Sequence, residues 1–122
     1  MLNVLVVDDD KDLLEMVSLV LKSHNMKVEC LTSGGHFFQS VASGRPDIVL
    51  MDIYLGDSDG RDLCRELKNS RQYQNIPVIL YSAGNISESS VQESLADDFV
   101  SKPFDISYLI GKINNYTRDT GN

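Results

Sequence analysis

Acidic residues stand directly after two short apolar runs of this chain. An aspartate triplet at positions 8–10 follows the apolar residues 4–7, and Asp52 follows the apolar residues 48–51. A short apolar run bounded by turn residues is typical of a strand buried on both faces, so each acid should lie at a strand's C-terminal end. Carboxylates clustered there could bind a hard divalent cation, and one of them could act as a nucleophile.

Two further predicted strands end on polar residues of a different kind. Residues 78–81 stop at Ser82, and residues 99–101 stop at Lys102. In a parallel sheet all four strand ends lie along one edge, where open α/β sheets bind ligands. Three acids, one hydroxyl and one ammonium would then converge on a single pocket. The alternative is that the acids only mark strand ends and helix N-caps, which aspartate favours.

The elements that must position these side chains follow from the hydrophobic pattern. Five predicted strands alternate with five predicted helices, a pattern that favours a parallel α/β sandwich with helices on both faces. The predicted strands cover residues 4–7, 28–31, 48–51, 78–81 and 99–101, and the predicted helices lie at 11–23, around 37–41, around 63–67, at 85–95 and from 106 to about 116. The polar tail beyond Tyr116 is expected to fray.

The faces of the helices can also be predicted. In the first helix Leu13, Val17 and Val20 repeat at helical spacing, and Leu14 and Leu21 widen the apolar stripe. In contrast, the serine-rich segment 85–95 offers only a few apolar contacts to the core, from Ile86, Val91 and Leu95. The last helix has a regular stripe at Ile106, Leu109, Ile110 and Ile113, with Asp105 as its expected N-cap.

Bulk properties restrict the class of protein. The 122 residues fit one domain, and a formal charge of −7 disfavours electrostatic binding to nucleic acid or to an anionic membrane. Cys30 and Cys64 show neither CxxC nor Cys/His spacing, so neither a zinc site nor a disulfide framework is indicated, and a cytoplasmic location is expected. No apolar run approaches the ~20 residues that a membrane-spanning helix needs.

The spaced set of functional residues resembles a known family. With Asp8-Asp9, Asp52, Ser82-Ala83 and Lys102-Pro103-Phe104 in place, the chain resembles a response-regulator receiver domain of two-component signalling over nearly its whole length. The resemblance implies a flavodoxin-like (βα)5 three-layer sandwich with five parallel strands in the order 2-1-3-4-5. It also implies that residues 1–122 form a single receiver domain.

The resemblance further implies a role for each site residue. Asp52 would accept a phosphoryl group from a phosphohistidine on a histidine kinase or a histidine phosphotransfer protein. Asp8 and Asp9, together with Asp52 and the backbone carbonyl of Tyr54, would bind a divalent cation. Mg²⁺ is expected, or Mn²⁺, since a cation keeps crowded carboxylates ionised and Mg²⁺ prefers oxygen ligands.

Three other side chains would respond to phosphorylation in such a domain. Ser82 would hydrogen-bond a phosphoryl oxygen, Lys102 would pair with it, and Phe99 would change rotamer on activation. The expected result is a switch in the face built from the fourth helix, fifth strand and fifth helix. The protein would catalyse only its own phosphorylation and dephosphorylation, and its output would act through another protein or domain. We expect a monomer or weak dimer.

Several residues also have simpler interpretations. Asp10 is better explained as a helix cap than as a ligand, and Lys102 could be a solvated lysine before Pro103. Ser82 could be an ordinary loop hydroxyl, and Phe99 is as easily core as switch. The segment 57–60 lacks the next ligand of an EF-hand, so its acids are interpreted as loop and cap residues. The two histidines, His24 and His36, show no ligand spacing and are expected on the surface.

Two rival functions remain open at this level. The Asp8–Asp10 triplet fits the DxD of haloacid-dehalogenase-type phosphatases, but Asp12 stands where that motif needs Thr or Val, and Asp52 would be unexplained. The second rival is a receiver fold that binds partners without phosphorylation, against which the intact acid, hydroxyl and lysine set argues. Met1 close to the first strand favours a natural N-terminus, whereas the polar tail could be a cut linker, so a standalone protein and an excised domain both stay possible.

Overall fold

Five strands alternate with five helices along the chain, as the hydrophobic pattern predicts. The computed structural model describes residues 1–117. The elements are β1 (Asn3–Val7), α1 (Lys11–Ser23), β2 (Lys27–Leu31), α2 (Phe37–Gly44), β3 (Ile48–Asp52), α3 (Gly60–Lys68), β4 (Val78–Ser82), α4 (Glu88–Ser94), β5 (Asp98–Ser101) and α5 (Ile106–Thr117). The tail for which fraying is predicted lies, from residue 118 onward, outside the described residues.

The five strands form one parallel sheet in the order β2-β1-β3-β4-β5. This confirms the expected flavodoxin-like architecture. The register places Val7 beside Met51, Asp52 beside Tyr81, and Ser82 beside Ser101. Because neighbouring strands end at nearly the same level, the residues that follow them are delivered to one edge of the sheet.

Alternate residues of each strand face opposite layers, since the side-chain period of a strand is two. On β1, Val4 and Val6 pack toward α1 and α5, whereas Leu5 and Val7 pack toward α2 and α3. We call the two resulting cores the α1/α5 core and the α2/α3 core. β3 and β4 are buried along their whole length, which explains why both read as continuous apolar runs.

The helix faces agree with prediction in position but not in every residue. The buried line of α1 consists of Leu14, Val17 and Leu21, whereas Leu13 and Val20 lie at its margins and are only partly buried. The predicted stripe is therefore centred one position too early. Leu13 and Val20 still contact the α1/α5 core, because a core-facing helix presents a broad apolar stripe.

The fourth helix is shorter than predicted. It begins at Glu88, after the N-cap Ser87, and ends at Ser94, which is followed by the C-cap Leu95 in a left-handed conformation with φ of 67°. The prediction that Leu95 is a core contact is wrong, because the side chain of this C-terminal cap residue points outward and the residue is 48% exposed. Ile86 does pack against the α2/α3 core.

A glycine fixes the distance between α3 and the end of β3. Gly60 is the first residue of α3, and its N–H donates a 2.7 Å hydrogen bond to the carbonyl oxygen of Ile53. A Cβ atom at this position would lie 2.4 Å from the backbone oxygen of Asp52. Any larger side chain would therefore have to displace backbone at the end of β3.

Gly60→Ala should lower the free energy of unfolding by about 1–3 kcal/mol, the usual cost of inserting an extra methyl group into a closely packed site. Gly111→Ala is the matched control, because a Cβ there meets nothing within 4 Å on the exposed side of α5. In a helix interior this control should gain roughly 0.5–1 kcal/mol. Urea unfolding of both variants measures the difference, and equal stabilities would contradict the close approach.

Candidate functional site

Four strand ends bring polar side chains together at the C-terminal edge of the sheet. Asp8 follows β1, Asp52 ends β3, Ser82 ends β4, and Lys102 follows β5. Asp8 is completely buried, and Asp52 is only 6% exposed. Buried carboxylates are uncommon unless they are paired or bind a metal, which makes this edge the candidate functional site.

Three carboxylates form a compact acidic group. Asp8, Asp9 and Asp52 each offer an oxygen, and these oxygens all lie within 4.8 Å of one another. Asp9 is exposed, so one side of the group faces solvent. Oxygen ligands at this density suit a hard divalent cation, which could enter from the solvent side and retain some of its water.

Lys102 supplies the positive charge that faces these acids. Its Nζ donates hydrogen bonds to Asp52 Oδ2 at 2.9 Å and to Asp8 Oδ2 at 3.2 Å. Burial alone would lower the pKa of Lys102, but its hydrogen bond to Asp52 and the charges of both acids outweigh burial and raise the pKa. Lys102 is therefore protonated at neutral pH, and it bridges the two buried acids.

Asp52 experiences opposing effects. Burial raises the pKa of its carboxyl group, and the hydrogen bonds from Lys102 and from the Tyr54 N–H act in the opposite direction, with a net upward shift. The Tyr54 N–H donates to Asp52 Oδ1 at 3.1 Å, so both carboxylate oxygens are held by donors. A carboxylate that is held in place beside a cation can act as a nucleophile toward an electrophilic centre.

Tyr81 is a site residue that the sequence did not reveal. Its hydroxyl donates a 2.9 Å hydrogen bond to Asp8 Oδ2 inside the α1/α5 core. Burial, followed by the charge of Asp8, raises the pKa of this tyrosine, so the hydroxyl stays a donor at neutral pH. The available signal was a tyrosine within a fully apolar strand, since a buried tyrosine hydroxyl usually finds a partner.

The other predicted residues lie around the acidic group. Ser82 is buried, and its Oγ accepts a 3.2 Å hydrogen bond from the Gly84 N–H. Phe99 is half-buried against the α2/α3 core. Tyr54 is 54% exposed, and the guanidinium carbon of Arg61 lies 5.8 Å from its ring centre.

Asp10, Asp59 and the two histidines have the simpler roles that the sequence suggested for them, whereas Lys102 is paired with two acids and is not a freely solvated lysine. Asp10 is the N-cap of α1, with its side chain accepting from the N–H groups of Asp12 and Leu13. Asp59 is the N-cap of α3. His24 and His36 are both exposed.

An open apolar cavity lies beside the charged group. It has a volume of about 500 Å³ and lies between α1 and the loops after β4 and β5, next to Lys102. Its lining residues are Asp10, Leu13, Met16, Ala83, Lys102, Pro103 and Phe104. Met16 and the nearby Leu19 are exposed on α1, so the surface around the site is partly apolar.

Among residues 1–117, no helix is both long and apolar enough to cross a membrane.

Known proteins resemble this chain in sequence. The family model of the response regulator receiver domain matches residues 4–114. The heme response regulator HssR of Staphylococcus epidermidis is 34% identical over 120 residues, which cover 97% of this chain and 52% of HssR. The DNA-binding response regulator MtrA of Mycolicibacterium smegmatis is 35% identical over 112 residues, which cover 90% of this chain and 48% of MtrA. The chain thus spans about half the length of these relatives.

A solved structure resembles it in fold as well. The BeF3-activated N-terminal receiver domain of RstA from Klebsiella pneumoniae superposes with a TM-score of 0.85 at 27% sequence identity. The match covers 95% of this chain and 98% of that domain. The superposition therefore includes almost the whole fold.

A divalent cation should stabilise the fold through the acidic group. In saturating MgCl2, at ~100 times the dissociation constant, the free energy of unfolding should rise by about 2.7 kcal/mol. Asp9→Asn should lose most of this gain. Asp10→Asn is the matched control, because it removes the neighbouring charge but preserves the cap, for which asparagine serves as well as aspartate. Thermal unfolding with and without MgCl2 tests this, and equal gains in both variants would exclude Asp9 as a ligand.

Proposed function

The chain belongs to the response regulator receiver domain family, and from this premise we propose that Asp52 is its phosphoacceptor. The observation that carries the proposal is the contact between Asp52 and Lys102, whose Nζ lies 2.9 Å from Asp52 Oδ2 within the group of three acids. The family implies the phosphoacceptor role, and Asp52 is the acid at the end of the central strand β3. We propose that residues 1–122 form one receiver domain.

Receiver domains bind Mg²⁺ at an acidic cluster, and this chain has such a group. We propose that Asp8, Asp9, Asp52 and the backbone carbonyl of Tyr54 hold Mg²⁺, or Mn²⁺, which shares its preference for oxygen ligands. The donor set fits, because it consists of carboxylate and carbonyl oxygens with one acid open to solvent. A bound ion would offset the negative charge of the phosphoryl oxygens during transfer.

The reaction is a transfer of a phosphoryl group between two protein side chains. An Asp52 oxygen attacks the phosphorus of a phosphohistidine, the new O–P bond forms, and the N–P bond to the imidazole breaks. Lys102 is already beside Asp52 and needs only a short movement to pair with a phosphoryl oxygen. Ser82, at the end of the neighbouring strand, supplies a hydroxyl donor to another phosphoryl oxygen. The domain catalyses only its own phosphorylation and dephosphorylation.

The donor is a histidine kinase or a histidine phosphotransfer protein. Receiver domains work with such partners, and the apolar surface at Met16 and Leu19 lies next to the cavity that Lys102 lines. A partner bound to this surface would place its phosphohistidine close to the acidic group. The two cysteines are free, which supports a cytoplasmic location.

The output acts through another protein or domain, and we propose a monomer or weak dimer. The longer relative MtrA is a DNA-binding response regulator. The formal charge of −7 disfavours direct binding of nucleic acid by this chain.

The switch acts on the face formed by α4, β5 and α5. Phe99 borders an open cavity of about 420 Å³ beside the loop after β4, which leaves its ring room to change rotamer. The neighbouring α4 has seven residues, of which only Ser94 is fully buried. Few buried contacts mean low local stability, so this helix can shift when Ser82 and Lys102 turn toward a phosphoryl group.

Intact mass after incubation with Mg²⁺ and acetyl phosphate tests the phosphoacceptor directly. The wild type should gain one phosphoryl group, whereas Asp52→Asn should gain none because it lacks the nucleophilic carboxylate. Omitting Mg²⁺ should abolish or greatly slow the reaction. Asp57→Asn is a control for an exposed acid five residues away, and it should react like the wild type.

Two results would contradict this proposal. A folded wild type that gains no adduct would favour a binding module that is not phosphorylated. An adduct that persists in Asp52→Asn would place the acceptor elsewhere.

Amide hydrogen exchange tests the switch. Addition of Mg²⁺ and beryllofluoride, a phosphoryl mimic, should change the exchange of residues 84–99 by several-fold, since the loop after β4, α4 and the start of β5 lie in the proposed path. The N-terminal strand β1 provides an internal reference, because its buried core residues exchange through global unfolding and report only the overall stabilisation by the ligands, against which the change in residues 84–99 is measured. Unchanged exchange in residues 84–99 at saturating beryllofluoride would exclude a switch in this face.

A further inference from the structure

The side chain of Tyr81 connects three parts of the site. It lies on β4, it is 1% exposed, and its ring packs edge-on against Phe104 with 5.6 Å between ring centres. Its hydroxyl donates to Asp8 Oδ2 at 2.9 Å, and Lys102 Nζ lies 5.0 Å from its ring centre. Because the ring is fixed by packing on β4, the hydroxyl is held at a defined position in front of Asp8.

The hydrogen bonds of Asp8 show why this position matters. Asp8 is completely buried, and its two oxygens have three donors. Oδ1 accepts from the Asp10 N–H at 2.9 Å, and Oδ2 accepts both from Tyr81 and from Lys102, the latter at 3.2 Å. A buried carboxylate that loses a donor keeps its desolvation cost without compensation, so Asp8 opposes the loss of either Oδ2 partner.

Of the two Oδ2 partners, only Lys102 has another task. In the proposed function Lys102 leaves the acids to pair with a phosphoryl oxygen. We propose that the Tyr81 hydroxyl is a positioning group that holds Asp8 in place and lets Lys102 leave it for the phosphoryl group. This inference rests on the proposed function.

The hydroxyl then has two effects. Before transfer, it fixes the orientation of a metal-holding carboxylate, as outer hydrogen-bond partners commonly do in metal sites. During transfer, it keeps one donor on Asp8 Oδ2 while Lys102 turns away. Without the hydroxyl, Lys102 would be the last side-chain donor to Asp8 and would be held there more tightly.

Tyr81→Phe isolates the hydroxyl, because it preserves the ring that packs against Phe104 and lies under Lys102. Calorimetric titration with Mg²⁺ should give a dissociation constant about tenfold higher than that of the wild type. The rate of phosphorylation by acetyl phosphate at saturating Mg²⁺ should also fall about tenfold. Because the metal is saturating, the second loss reports the release of Lys102 rather than metal occupancy.

Tyr116→Phe is the matched control. The Tyr116 hydroxyl also donates to a carboxylate, Asp98 Oδ2, at 3.0 Å, but Asp98 is the first residue of β5 and lies at the edge of the sheet opposite to the site. This variant should keep the wild-type Mg²⁺ affinity and phosphorylation rate. Thermal unfolding without Mg²⁺ should show the larger loss for Tyr81→Phe, because its carboxylate partner Asp8 is fully buried whereas Asp98 is partly exposed.

A double-mutant cycle with Lys102→Ala separates positioning from general support of the fold. If Tyr81 acts by releasing Lys102, adding Tyr81→Phe to Lys102→Ala should cause no further loss in the rate at saturating Mg²⁺. Additive losses would mean that Tyr81 only supports the structure, and would overturn the proposal.

The wild type gives a test that does not depend on a folded variant. The hydroxyl proton of Tyr81 should stay protected from solvent exchange in NMR spectra both without ligand and with Mg²⁺ and beryllofluoride. Loss of protection on activation would overturn the proposal, because Asp8 would then have lost its second donor as well. A wild type that forms no phosphoryl adduct would instead refute the proposed function. Normal wild-type phosphorylation with an unchanged Tyr81→Phe variant would refute this inference alone.

Discussion

The ion pairs of Lys102 with Asp8 and Asp52 are the interaction on which the rest of the site depends. Asp8 and Asp52 are almost completely buried, and their carboxylate oxygens lie within 4.8 Å of each other and of an oxygen of Asp9. Such an arrangement costs free energy unless a positive charge is close. Lys102 comes from the loop after β5, whereas the acids come from β1 and β3. The lysine therefore connects the edge strand β5 to the central strands β1 and β3. A change in the partner of Lys102 would affect the loop after β5 and the acids after β1 and β3.

The sequence was sufficient to predict that Asp8, Asp52 and Lys102 lie at one edge of the sheet, because each residue stands at the end of a strand. The apolar runs before Asp8 and Asp52 are continuous because β1 and β3 are covered on both faces, and a parallel sheet places their ends at one edge. The contacts among the side chains could not be predicted in the same way. The bond from Tyr81 to Asp8 depends on which face of β4 the ring occupies, and periodicity does not show this for a fully buried strand.

Two predictions about the helices were inaccurate, and in both cases apolar character alone did not determine the structure. In α1 the apolar stripe is broad, so its composition did not distinguish the buried Leu14 from the marginal Leu13. In α4 the sequence is polar, and local capping decides the boundaries: Ser87 begins the helix, and the left-handed Leu95 ends it with an exposed side chain. Apolar character alone cannot identify a cap, because a cap is defined by backbone conformation.

One side chain of this chain connects the loop after Asp52 with α4. Arg61 pairs with Asp59 at 2.6 Å, lies over the exposed ring of Tyr54, and donates to Ser90 Oγ at 3.3 Å. These contacts are partly exposed, so each contributes little energy, and surface ion pairs of this kind are commonly worth about 0–1 kcal/mol. Weak contacts suit the proposed switch, since a helix that is to move cannot be held by strong ones. The fold thus combines a rigid edge, where buried charges are tightly paired, with a neighbouring helix whose contacts are few and replaceable. In the proposed switch, a small shift of Lys102 and Ser82 would bias this helix, because few buried contacts oppose its movement.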